Sequence, residues 1–273
     1  MTLPSIDRRT AIRFIICFGL VSLFADMTYE GAHGVIGPLL DHLGASVAAI
    51  AFISGLGELI AAGLRFFSGR LADRTHAYWT LAIFGYALNV LAIPALAFAG
   101  SWEMVAILIT LERTGKALRG PARDLLLSEA TGVVGHGWGF GLHATMDQTG
   151  ACLGPLIMAA LVARSGEVSQ AFAWLAIPAA ATLASIIVAR AVRPVKVEPP
   201  PVKTSTALPR LFRMYVLAAG LLACGFIDFP VLASHFDRTH LFAPAMIPVL
   251  YSVAMAVNGA TAFVFGRLFD RKR

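Results

Sequence analysis

Long apolar runs separated by short charged segments are the feature that most constrains this fold. Eight runs approach or exceed the roughly 20 residues that a helix needs to cross a bilayer. They cover about 11–40, 46–68, 77–99, 102–122, 137–163, 168–190, 211–235 and 241–265. Because lipid offers no partner to an unpaired backbone amide, each run is predicted to be helical. The sequence therefore predicts an all-α polytopic membrane protein.

Composition agrees with this class and argues against others. The chain is 58% hydrophobic and 14% charged, whereas soluble proteins have about 25% charged residues. Its net charge of +6 is spread between apolar runs rather than along one soluble face, so we expect no nucleic-acid partner. The cysteines lie inside apolar runs and are interpreted as packing residues. The sequence contains no phosphate-binding loop, nucleophile elbow or zinc-spaced ligand set, so we expect no enzyme activity, cofactor or metal.

The distribution of lysine and arginine predicts the orientation. Most of these residues fall on one side if the N-terminus is cytoplasmic, and only Arg164 and Arg238 fall on the other. The excess of positive charge marks the cytoplasmic side. We therefore predict an integral protein of a bacterial cytoplasmic (inner) membrane, with a cytoplasmic N-terminus.

A proline-rich segment and two repeated patterns divide the chain. Residues 193–210 carry five prolines and are predicted to form a cytoplasmic linker. It separates a six-helix bundle (1–192) from the first two helices of a second bundle (211–273). Gly-Arg-Leu-Ala-Asp-Arg at 69–74 returns as Gly-Arg-Leu-Phe-Asp-Arg at 266–271, each copy as a charged turn after the second span of its half. Asp26 and Asp228 are likewise matched, which supports an internal repeat.

Three elements resemble the major facilitator superfamily of secondary transporters. They are the repeated charged turn, Arg113-Thr114-Gly115-Lys116 in the fourth span, and the Gly150-x-x-x-Gly154-Pro155 pattern, which is frequent in exporters. The resemblance implies alternating access and a cytoplasmic latch at the turn. It also implies two six-helix halves, so we expect a truncated or frameshifted product rather than an eight-span protein.

Intramembrane charges supply the pathway candidates, since each costs about 2.5–3.5 kcal/mol on insertion scales. Asp26 and Glu30 share one face of the first span and are predicted to face a central cavity, where they take up protons or bind a cationic group. Glu30 could instead be solvated near the outer interface. Asp228 is expected opposite Asp26 across the repeat axis.

Glu58 in the second span is a further pathway candidate, and the fourth and fifth spans add others. Arg113, beside Glu112 and Lys116, is expected to bind an anionic group or gate a carboxylate; otherwise it pairs structurally with Asp147 or Glu58. Arg119 and Arg123 are predicted to extend to the interface. His143 and Asp147 form either a proton relay or a structural hydrogen bond.

The remaining candidates are expected to act in gating. They lie in the two charged turns and in the fifth span, where glycines permit close packing or a hinge. They are Gly69, Asp73, Arg74, Gly150, Gly154, Pro155, Gly266, Asp270 and Arg271.

These patterns predict proton-coupled transport of a small solute, with export favoured. The partners would be a small-molecule substrate, protons and the lipid bilayer. The alternative is a membrane-inserted fragment or scaffold that does not transport.

Cysteine labelling tests the predicted orientation. In a variant whose three native cysteines are replaced by alanine, Gly44→Cys should react with an impermeant maleimide in intact cells. His76→Cys should react only after the cells are opened, because it lies on the basic side. The reverse pattern of labelling would contradict this topology.

Overall fold

The computed structural model describes residues 7–192, 210–225 and 227–271, with backbone alone for 224 and 262–271. Within these residues the chain forms ten α-helices and no strand. The helices are α1 (Arg8–His42), α2 (Val47–Thr75), α3 (Tyr78–Ala95), α4 (Trp102–Val134), α5 (His136–Ser165), α6 (Val168–Trp174), α7 (Ala176–Val192), α8 (Arg210–Cys224), α9 (Phe229–Arg238) and α10 (Met246–Arg271). The predicted all-α class is confirmed. The predicted linker lies outside the described residues, except for Arg210.

In the part of the chain that the structure describes, five helical segments are long and apolar enough to cross a membrane, by length and composition. They are α1, α2, α3 with the 3₁₀ turn that follows it, α5, and α6 together with α7. The helix α4 is long enough but carries charges along its length, and it continues to Val134 rather than ending near 122.

The single seventh span predicted over 211–235 is wrong. Helix α8 ends at Cys224 and α9 begins at Phe229. Asp228 caps the new helix, since its side chain accepts a hydrogen bond from the Phe229 amide at 2.9 Å. Gly225 and Pro230 flank the break, and both residue types disfavour a continuous helix.

The repeated charged stretch is helical rather than a turn, which corrects a second prediction. Residues 69–74 form the last turns of α2, which continues to Thr75 and closes with His76 in the left-handed conformation. Apart from Gly69, these residues are compatible with a helix interior. The backbone of 266–271 is likewise part of α10.

Helix α1 is the central element of the fold. It packs along α5 and α7 and also contacts α4 and α9. Its N-terminal half buries aromatic side chains such as Phe14 and Phe18. We call the end of the bundle where α1 begins the N-terminal end, and the opposite end, near Asp41, the far end.

Glycines allow α1 and α5 to approach closely. A Cβ atom on Gly150 would lie 2.1 Å from the Leu23 carbonyl oxygen, and one on Gly154 would lie 2.4 Å from that of Met27. Gly154 also faces Gly31. Of the two roles predicted for this pattern, the geometry matches close packing through small residues.

Substituting these glycines tests how much the α1–α5 contact stabilises the bundle. Gly150→Ala should lower the unfolding temperature in detergent, because overpacking a tight contact costs about 1–3 kcal/mol. Gly141→Ala is the matched control on the same helix, where an added Cβ meets no atom within 4 Å. Equal melting temperatures for the two variants would contradict the close contact.

Candidate substrate pathway

A polar cavity of about 270 Å³ lies between α1, α2, α4, α5 and α10. Its charged lining consists of three carboxylates and four basic side chains. These are Asp26, Glu30 and Asp147, with Arg65, Lys116, Arg119 and Arg123. The structure thus brings together four residues predicted for the pathway: Asp26, Glu30, Lys116 and Asp147.

The carboxylates of the cavity differ in how they are satisfied. Asp26 is 3% exposed, and its Oδ1 atom has no hydrogen-bond partner among the described residues. The Oδ1 atom of Asp147 is also buried without such a partner. Glu30, in contrast, accepts a hydrogen bond from Tyr251 and lies 4.0 Å from the Lys116 Nζ atom. The alternative that Glu30 is merely solvated near the outer interface is therefore wrong.

Arg119 does not extend to the interface, contrary to the prediction. It is 2% exposed, and its guanidinium carbon lies 4.4 Å from the ring centre of Tyr86 and 5.6 Å from that of Tyr29. These aromatic faces hold the cation inside the bundle. Arg123 also lines the cavity and bonds to Asp124 at 2.9 Å.

A second cluster, nearer the start of α4, pairs Arg113 with two glutamates. Arg113 lies 3.2 Å from Glu58 and 3.4 Å from Glu112. The Asn89 amide donates to Glu112 at 2.8 Å. Of the two structural partners considered for Arg113, the geometry selects Glu58 rather than Asp147. A role for these residues in the pathway remains a prediction.

His33 connects this cluster to the second half of the chain. Its Nε2 atom lies 3.1 Å from the Asp228 carboxylate, and its Nδ1 atom lies 3.5 Å from Arg113. Because arginine can only donate, Nδ1 must accept, and the Nε2 proton is left for Asp228. The expectation that Asp228 faces Asp26 is wrong, since Asp228 meets α1 about two turns farther on. His33 was not predicted, although it continues the helical face of Asp26 and Glu30.

The predicted bond between His143 and Asp147 is absent from the described part of the chain. His143 is buried and bonds instead to the Ser22 hydroxyl at 2.8 Å. The serine lies on α1 one turn before Asp26, so the close α1–α5 contact gives the imidazole a nearer partner. A proton relay through this pair is not supported by the geometry.

Several contacts join α9 and α10 to α1 and α5. Arg238 pairs with Asp41 and donates to the Ala45 carbonyl oxygen at 3.0 Å. The Gln148 amide donates to the Met255 carbonyl oxygen at 2.6 Å. Together with the His33–Asp228 and Tyr251–Glu30 bonds, these contacts hold α9 and α10 against the earlier helices. They extend from the middle of the bundle to its far end.

The gating candidates are only partly placed. Asp73 and Arg74 are exposed at the end of α2, and no described residue pairs with either, so the latch remains a prediction. Gly69 faces Pro121 of α4 at a distance that an added Cβ would still tolerate. The side chains of Asp270 and Arg271 lie outside the described residues, as do the surroundings of Gly266.

The sequence matches the family model of the Major Facilitator Superfamily over residues 18–273. It is 40% identical over 272 residues to an uncharacterized protein of Mycobacterium tuberculosis, covering 96% of this chain and 66% of that protein. An uncharacterized MFS-type transporter of Methanocaldococcus jannaschii is 29% identical over 140 residues, covering 51% of this chain and 35% of the relative. The chain thus spans at most about two thirds of the length of these relatives.

Solved structures show the same fold. A bacterial homologue of the human lysosomal transporter Spinster matches with a TM-score of 0.69 and 14% identity, over 97% of this chain and 64% of that one. A POT family transporter in complex with 5-aminolevulinic acid matches with a TM-score of 0.60 and 18% identity, over 86% and 49%. At these identities the likeness concerns the fold alone.

Removing Arg113 tests whether the paired cluster is structural. Arg113→Gln should destabilise the protein markedly, because breaking a buried ion pair from one side costs roughly 3–5 kcal/mol. Adding Glu112→Gln should recover part of the loss, since it removes the stranded carboxylate. The measurement is thermal unfolding in detergent.

The control for this test is Arg164→Gln, which removes an exposed arginine from the last turn of α5, so a loss of only about 0–1 kcal/mol is expected. A double variant no more stable than Arg113→Gln would contradict the structural role.

Proposed function

The chain belongs to the Major Facilitator Superfamily, and we propose that it moves a small solute across the membrane by alternating access. The observation that carries the proposal is the charged cavity between α1, α2, α4, α5 and α10. Ionised side chains are expensive at membrane depth and are generally retained for a function. A lining of three carboxylates and four basic groups gives a solute polar partners that lipid does not provide.

The fold relatives support a small solute as cargo. One POT family transporter was solved in complex with 5-aminolevulinic acid, and a peptide transporter POT with alafosfalin. Those ligands belong to those proteins. A cavity of about 270 Å³ in this chain is suited to a solute of modest size.

Proton coupling is the finer part of the proposal. Asp26 and Asp147 each keep a buried oxygen without a described partner, while Glu30 already has Tyr251. A carboxylate with a free oxygen can hold a proton in one state and a cationic partner in another. Asp26 and Asp147 are therefore the proposed proton sites, and Glu30 the residue that links the cavity to α10.

Gating would use the contacts between the two parts of the chain. With the N-terminus in the cytoplasm, His33–Asp228 and Arg238–Asp41 close the outer side. Alternating access requires these contacts to break when the cavity opens outward. The charged stretch at 69–74 is proposed to close the inner side in that state. We propose export as the direction, from the Gly150-x-x-x-Gly154-Pro155 pattern.

Solute-driven proton flux tests transport and coupling together. The purified chain is reconstituted into vesicles that contain a pH-sensitive dye, and small solutes are added outside. We expect at least one solute to change the internal pH, and Asp26→Asn to reduce the signal to that of protein-free vesicles. Glu103→Gln is the control and should retain the signal, because it removes an exposed acid from the first turn of α4, outside the cavity.

The possible outcomes separate the alternatives. Unchanged flux in Asp26→Asn would refute proton coupling through that residue. Solute uptake without a pH change would preserve transport and exclude protons. Neither binding nor uptake of any solute by the inserted chain would favour the non-transporting fragment.

A further inference from the structure

We propose that the cavity binds a zwitterionic solute, with its anionic group on Arg119 and its ammonium group on Asp26 and Asp147. This inference rests on the proposed transport function and names its substrate class. It assigns the principal substrate contact to Arg119, a residue that the sequence patterns placed at the interface.

Arg119 is the cation in the cavity whose environment most requires a ligand. It is 2% exposed, and its Nε and Nη1 atoms have no hydrogen-bond partner among the described residues. A guanidinium stays charged in proteins, so it cannot escape the cost of burial by losing its proton. Buried charges are normally paired, as Arg113 is with Glu58 and Glu112 in the neighbouring cluster.

The tyrosines near Arg119 do not use up its donors. Its guanidinium carbon lies 4.4 Å from the ring centre of Tyr86, and neither Nε nor Nη1 donates a described hydrogen bond. The N–H donors project in the plane and can grip a carboxylate or phosphate with two parallel bonds. Lys116 lies 4.3 Å from the ring centre of Tyr29 and adds a second positive charge to the same lining.

The acids of the cavity are the counterpart of this arrangement. Asp26 and Asp147 each have one buried oxygen without a described hydrogen-bond partner, although Arg119 lines the same cavity. Two carboxylates and one guanidinium that line the same cavity of about 270 Å³ therefore each have a buried atom that lacks a described hydrogen-bond partner. A ligand that carries both charges would satisfy both sets at once.

Singly charged ligands fit this lining less well. An anion would bind Arg119 and leave the two aspartates unsatisfied, and a cation would do the opposite. A zwitterion pairs with both sets of unsatisfied groups at once. The balance of unsatisfied groups therefore favours a zwitterion.

A series of ω-amino acids tests the inference and measures the gap between the two subsites. The purified chain is titrated with glycine, 3-aminopropanoate, 4-aminobutanoate, 5-aminopentanoate and 6-aminohexanoate, and its melting temperature is recorded. A ligand that binds only the folded protein raises this temperature as its concentration exceeds its dissociation constant. At least one member should stabilise the protein more than equal concentrations of pentanoate and pentylamine added together.

Matched variants assign the two ends of the ligand. Arg119→Gln should weaken the apparent affinity by roughly tenfold or more, as expected for a lost charged hydrogen bond, and Asp26→Asn should weaken it similarly. Arg119→Lys keeps the positive charge but lacks the two parallel N–H donors of arginine, so it should lose less affinity than Arg119→Gln. Arg164→Gln is the control, because it removes the same charge from an arginine that is exposed in the last turn of α5 and lies outside the cavity. Melting temperatures without ligand show that each variant is folded.

Three results would overturn the inference. They are stabilisation by pentanoate equal to that by the best amino acid, no stabilisation by any member of the series, or an effect that persists in Arg119→Gln. If solute-driven flux is nevertheless observed in vesicles, transport stands and only the substrate class is wrong.

Discussion

A charge inside a membrane needs a partner, and this requirement organises the interior of the protein. Arg113 meets it with Glu58 and Glu112, and the resulting cluster ties α2 to α4. Arg119 lies less than two turns farther along α4, where tyrosine rings surround it but no described carboxylate pairs with it. One arginine thus holds helices together, while the other retains capacity for a ligand. The contrast arises from neighbouring helices, since both arginines belong to α4.

Helix α1 contributes both to close packing and to the polar cavity, because its faces differ. One face carries Gly31 and approaches α5 so closely that the backbones are in contact. Another carries Asp26, Glu30 and His33 toward the cavity and toward α9 and α10. Close packing on one side fixes the depth at which the polar side chains lie on the other. The steric fit with α5 therefore determines where the charged side chains of α1 lie in the cavity.

The sequence predicted those features that depend on periodicity and on the cost of charge in lipid. The helical class and the convergence of Asp26 and Glu30 follow from spacing along single helices. Glu58 was considered as a partner of Arg113 because both are charged residues within apolar spans. The burial of Arg119 was not predictable in this way, because it depends on Tyr86 from α3 and Tyr29 from α1. His143 was misassigned for the same reason, since Ser22 reaches it from another helix. The break before α9 was signalled by Gly225 and Pro230, but the apolar run masked it.

The carboxylate of Asp228 performs two tasks with one oxygen atom. Its Oδ1 atom accepts both the Phe229 amide, at 2.9 Å, and the His33 ring, at 3.1 Å. The first bond starts α9 and the second attaches that helix to α1. Since α8 and α9 are separate helices, the start of α9 and the His33 bond that attaches it to α1 both depend on this one atom. Asparagine, which caps helices about equally well, would preserve the start of α9 while removing the charge from its bond to His33.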